Sequence, residues 1–98
     1  MYGTVARLKM KPGMEAEMEA FGRGWTDERK GQVKGAIGGY IYRLDNDPLT
    51  AIMAVVFEDK ASYHANAQDP AQDVAYRRLR AMLVEDPIWE DGEIIGTL

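Results

Sequence analysis

The sequence has no cysteine and a single histidine, His64. Without cysteine there are no disulfides, thiolate zinc sites, iron-sulfur clusters or cysteine nucleophiles, and a cytoplasmic protein is the expectation. One histidine leaves little for imidazole-based metal binding. Long apolar runs are missing too: nothing approaches the roughly 18 residues of a membrane span, and the N-terminus alternates like a strand rather than a signal peptide. Twelve basic against sixteen acidic residues give a net charge of -4, which offers no long-range attraction to nucleic acid or anionic lipid. No linker, repeat or low-complexity segment interrupts the 98 residues, so residues 1–98 are read as one domain with one core.

What is present is periodicity. Between Gly35 and Glu58, two β-rich runs flank the turn-forming Asp45-Asn46-Asp47-Pro48 and predict a hairpin. In its second run Leu49, Ala51, Met53, Val55 and Phe57 share one side, and Ile52, Ala54 and Val56 the other. Both sides are apolar, so this strand needs cover on both faces. Gly38-Gly39 in the first run predicts a bulge or a close backbone approach. Residues 2–10 alternate Tyr2, Thr4, Ala6, Leu8 and Met10 against Val5, Arg7 and Lys9, as a half-buried strand does. After Lys11-Pro12-Gly13 the period changes: Met14, Met18, Phe21 and Trp25 form one helical stripe. Gly22 and Gly24 each weaken that helix by about 1 kcal/mol, and the charged segment from Thr26 to Lys34, with Gly31 inside it, predicts fraying and a turn.

Asp59 is the expected N-cap of a short helix carrying Tyr63, His64 and Ala67. Asp69-Pro70 starts the next, whose stripe is Val74, Ala75, Arg78, Leu79, Met82 and Leu83, and Asp86-Pro87 closes it. In the tail Ile94-Ile95 is the β-capable pair, with Trp89 beside an acidic turn, Glu90-Asp91-Gly92-Glu93. The order strand, helix, strand, strand, broken helix, strand is the ferredoxin-like βαββαβ pattern. It predicts an α+β fold, a four-stranded antiparallel sheet with both helices on one face. The uncovered face then calls for a second copy of the chain.

Taken together, Lys11-Pro12-Gly13, Val33-Lys34-Gly35 with Gly38-Gly39, Phe57-Glu58-Asp59-Lys60 with Tyr63, Asp69-Pro70, and Asp86-Pro87 before Trp89 resemble the antibiotic biosynthesis monooxygenase family of dimeric α+β barrels over nearly the whole chain. The resemblance implies a homodimer in which two sheets face each other. It also implies a cofactor-independent monooxygenase acting on a small aromatic or phenolic molecule; a non-catalytic ligand-binding or purely structural dimer is the competing class. The haem-degrading branch of that family uses a first-strand Asn with a Trp and a His. Tyr2 to Met10 contains no Asn, and no haem, metal or other cofactor is expected.

Oxygenation of that kind needs a dry pocket and groups that steer a proton and an anion. His64 is the one side chain with an ordinary pKa near neutrality and is the candidate base. Trp25 and Phe57 are candidates for an aromatic-accepting wall, although Trp25 also continues a core stripe. Tyr40 and Tyr63 are candidate donors to a substrate oxygen, with Tyr42 and Tyr76 as further choices. Arg7 is a candidate oxyanion partner if its strand turns it toward a pocket. Elsewhere Gly22-Arg23-Gly24 lacks the third glycine of a dinucleotide fingerprint, with Asp27 at that place. Arg77, Arg78 and Arg80 read as a solvated face, and Glu90, Asp91 and Glu93 match no calcium loop.

Overall fold

A computed structural model describes residues 1–98. The alternating N-terminal segment is strand β1, Tyr2–Lys9. The hairpin is β2, Ala36–Leu44, and β3, Asp47–Phe57, joined at Asp45 and Asn46. The last strand, β4, is Ile88–Glu93. All pairings are antiparallel, in the order β2-β3-β1-β4, so the chain is a ferredoxin-like α+β fold. No helix is long and apolar enough to cross a membrane.

The register separates the two apolar faces of β3. Tyr2 opposes Phe57, Thr4 opposes Val55, Ala6 opposes Met53 and Leu8 opposes Ala51. These residues point to the helices, where Leu8, Met10, Met18, Leu79, Met82 and Leu83 make the buried core. Val5, Arg7, Ile52, Ala54 and Val56 alternate onto the opposite face, which no helix covers. The paired glycines act as expected: the β2–β3 register shifts between Ala36 and Gly38, and Gly38 has φ 153°. A Cβ on Gly39 would overlap the Ala54 carbonyl, so the two backbones meet more closely there than side chains allow.

Helix α1, Glu15–Gly24, carries the predicted stripe. Beyond it the expected fraying does not occur. Trp25–Arg29 continue as a turn of π-helix, in which the Lys30 amide donates to the Trp25 carbonyl, and Lys30–Gln32 add a 3-10 turn. The Thr26 hydroxyl donates to the Gly22 carbonyl at 3.1 Å, a back-bond of the kind that accompanies bent helix, at the point where the α-helix gives way to the wider turn. Asp59 and Asp69 cap α2, Lys60–Ala67, and α3, Pro70–Ala81, by accepting from the Ser62 and Ala71 amides at 2.7 and 2.8 Å.

Two further expectations are corrected. On α3, Val74 and Arg78 are exposed, and the inward side is Gln72, Ala75, Tyr76 and Leu79, continued by Met82 and Leu83. The displaced charge of Arg78 thus needs no partner inside. In the tail, the acidic stretch is itself the strand, and Ile94-Ile95 lie beyond it. Trp89 and Asp91 face the helices opposite Ala6 and Thr4. As an edge strand β4 tolerates carboxylates that a central strand would not, and their charge discourages further edge pairing.

Candidate functional site

The core fills only part of the layer between helices and sheet. Alongside it a cleft of about 1200 Å³ runs from Met10, Met18 and Ala51 to Thr4, Val55 and Phe57. Trp25 on the π turn and Phe57 at the end of β3 line it with Met53, Trp89 and the edge of α1. Phe57 is 1% exposed, so its position is fixed. The cleft is mostly apolar with a few convergent polar groups, the usual character of a small-molecule site.

One polar group gathers around Tyr63. The Asp59 cap sets the start of α2, and α2 places Tyr63 edge-on to Phe57, ring centroids 5.5 Å apart, and 5.3 Å from the Tyr2 ring. The Tyr63 hydroxyl donates to Asp91 Oδ1 on β4 at 2.8 Å. Partial burial, and then this donation to a carboxylate, push the Tyr63 phenol up to about 12, with the nearby Thr4 hydroxyl acting in the opposite direction. Tyr63 is therefore a neutral donor at physiological pH. Thr4 Oγ1 is buried at the cleft floor with no partner in hydrogen-bonding geometry, an unspent polar group facing the cleft. His64 stands next to these rings, 5.6 Å from Tyr63 and 6.1 Å from Tyr2 between centroids. It is exposed and forms part of the cleft lining, so it sits at the rim rather than the floor.

A second polar group closes the β2 side. Arg29 Nη2 donates to Asn66 Oδ1 at 3.3 Å, and Asn66 Nδ2 donates to Gln72 Oε1 at 3.3 Å. Asn66, Gln72 and Lys30 line the cleft.

Of the residues singled out in the sequence, the fold brings Trp25, Phe57, Tyr63 and His64 to one cleft. Tyr40 borders it, but the residue is 79% exposed and its register partner is Ala54 of the open face. Arg7 does not line the cleft: it opposes Ile52 and Ile88 on the open face, because β1 turns its odd-numbered side chains away from the helices. Sequence reading passed over Thr4, Lys30, Asn66 and Gln72, and weighed Asp91 only as a cation ligand. Each is an ordinary polar residue on its own element, and only the packing of α2 over the sheet end makes them neighbours. No group of three or more His, Asp or Glu side chains is arranged to hold a metal ion.

An antiparallel β2-β3-β1-β4 sheet, helices on one face and a cleft beneath them, defines a ferredoxin-like α+β subunit with a ligand-sized opening. Solved structures give that class a closer likeness. A Caulobacter crescentus protein provisionally named an antibiotic biosynthesis monooxygenase superposes with TM-score 0.82 at 16% identity, covering 97% of this chain and 90% of that one. A Deinococcus radiodurans protein of the same provisional name gives 0.80 at 13% identity, covering 100% and 96%. A conserved protein from Methanosarcina mazei gives 0.79 at 16% identity, covering 93% and 89%. The chain thus has the fold of the antibiotic biosynthesis monooxygenases, and at these identities the likeness is one of fold. No family model and no curated protein matches the sequence.

Proposed function

We propose that the chain is a homodimeric, cofactor-independent monooxygenase of the antibiotic biosynthesis monooxygenase type, acting on a small phenolic molecule held in the helix-side cleft. The observation that carries this reading is the meeting, in one cleft, of an apolar aromatic wall and a rim of proton-handling groups: Trp25 and Phe57 beside Tyr63, Asp91 and His64. The ring stacks against the wall. His64 takes the phenolic proton at the rim, Tyr63, whose single proton is held by Asp91, packs beside the ring, and the unpartnered Thr4 hydroxyl is the donor left for the phenolate oxygen. The reaction balances without added reductant. Phenol and dioxygen give quinone and water: a ring C–H becomes C=O, one oxygen atom enters the ring, the other leaves as water, and the substrate supplies all the electrons.

An oxygen electrode tests this with a panel of one- to three-ring phenols and no added flavin, haem or metal. The expected result is one dioxygen consumed per phenol with quinone absorbance appearing. His64→Ala should lower turnover by roughly a hundredfold, the usual loss for a general base, with the melting temperature little changed. Full activity in His64→Ala would remove His64 from the mechanism. Phenols that bind without consuming oxygen under any condition would instead favour the non-catalytic ligand-binding protein.

A further inference from the structure

We infer that the end of the cleft bounded by Lys30, Asn66 and Gln72 is a subsite for a carboxylate carried by the aromatic ligand, an assignment that rests on the cleft being a ligand site. The argument begins with Arg29. A guanidinium has donors and no acceptor, so its bond to Asn66 Oδ1 fixes which way the amide points. Asn66 then spends one N–H on Gln72 Oε1, and that fixes the second amide. With both carbonyl oxygens engaged on this chain of bonds, Asn66 is left with a spare N–H and Gln72 with its whole NH₂ group. The wall offers donors.

Lys30 adds a charge to that wall. The π turn closes after five residues rather than four, which brings Lys30 back beneath Trp25, where an α-helix would have turned it aside. Its ammonium lies beside the bare backbone of Gly38, 3.5 Å from where a Cβ would stand, and it lines the cleft. Neither Lys30 nor Arg29 has a carboxylate within salt-bridge distance. The molecule's ion pairs are Lys9–Glu85, Arg23–Glu19, Arg77–Asp73 and Arg80–Asp86. Asp73, next to Gln72 in sequence, is thus already held by Arg77 at 2.7 Å. Arg29 Nε is buried and makes no hydrogen bond. A half-buried ammonium without a counter-ion, lining the cleft together with amides oriented as donors, is completed by an anion with two oxygens. The cleft also presents Trp25, Phe57, Tyr76 and Trp89, so the ligand class is an aromatic carboxylic acid.

Calorimetry with naphthoate, its neutral isostere naphthamide, and naphthol tests the subsite. Naphthoate should bind about tenfold more tightly than naphthamide, the scale of one added charge-assisted hydrogen bond, and the preference should shrink as salt is raised. Lys30→Met and Asn66→Asp should each bring the ratio to one or below, while Lys30→Arg keeps it; circular dichroism identifies any variant that has not folded. Equal binding of naphthoate and naphthamide to the unaltered protein, or a ratio unchanged in both Lys30→Met and Asn66→Asp, overturns the carboxylate subsite alone. Failure of all three probes, naphthol included, overturns the cleft as an aromatic site as well.

Discussion

At Gly39 the absence of a side chain is what lets β2 lie against β3. A methyl group there would overlap the Ala54 carbonyl and stand 3.1 Å from Val55 Cα, and both obstacles are backbone. Gly39→Ala is therefore expected to destabilise the fold by about 1–3 kcal/mol, as forced overpacking does, read as a lower urea midpoint with an unchanged slope. Tyr63 allows a different test. Its phenol is pushed up to about 12 by burial and by donation to Asp91, above the ordinary tyrosine value near 10. Below that ordinary value the phenol is protonated in folded and unfolded chains alike. Between about 10 and 12 the folded state holds a proton the unfolded state has lost, so this contribution to stability falls as pH rises through that window. Absorbance of tyrosinate should show a late ionisation step in the native protein that Tyr63→Phe removes. The glycine pair was legible because glycine inside a β-run has few uses. The bond from Tyr63 to Asp91 was not, since 28 positions separate them and neither residue is unusual where it stands.

Helix starts were legible for a local reason: an Asp cap uses only the few residues that follow it. Both caps chosen from sequence accept the expected amide bonds. Replacing Asp69 with Ala should cost about 1 kcal/mol, the usual worth of an N-cap, measured by thermal or urea unfolding. At Asp59 the bond from the Ser62 backbone amide, then that from its side chain, hold the carboxyl below its ordinary value. Its contribution is present above the ordinary carboxylate range and is lost as pH falls through the lowered value. Two elements were expected but misplaced by sequence reading. The turns from Trp25 to Gln32 are charged and contain Gly31, a composition shared with loops; Arg29 ties them to α2 through Asn66. Strand β4 is acidic because it is an edge, and propensity scales reward interior strands. These two elements supply Lys30 and Asp91, while Asn66 and Gln72 are ordinary polar residues on correctly placed helices; Trp25 and Phe57 were legible because they continue the apolar stripes of α1 and β3.

For the whole molecule, the two-sided apolar pattern of β3 already implied more cover than one subunit provides. In the structure one side of β3 meets the helices, and the other lies in an open face where Val5 is 45%, Tyr42 53% and Ile88 75% exposed. A contiguous apolar sheet face of this sort is an interface in waiting. The occupant we propose is a second copy, since a two-fold axis brings the same face to itself and the pairing closes without leaving a free surface. Ala54 is near the middle of that face, between Val5 on β1 and Tyr40 on β2, and points away from the helices. Ala54→Arg would set two arginines against each other across the axis, beside Arg7 of the same face and with Glu90 lying beyond Val5 in the same row, at a cost of several kcal/mol. Nothing in the subunit core changes, because Leu8, Phe57 and Leu83 lie on the other side of the sheet. Sedimentation equilibrium should find the unaltered protein at twice the chain mass of 11.0 kDa and the Ala54→Arg variant at that mass, with matching circular dichroism. An unaltered chain that sediments as a folded monomer at micromolar concentration would show that the open face is left to solvent, and the barrel-like dimer would have to be abandoned.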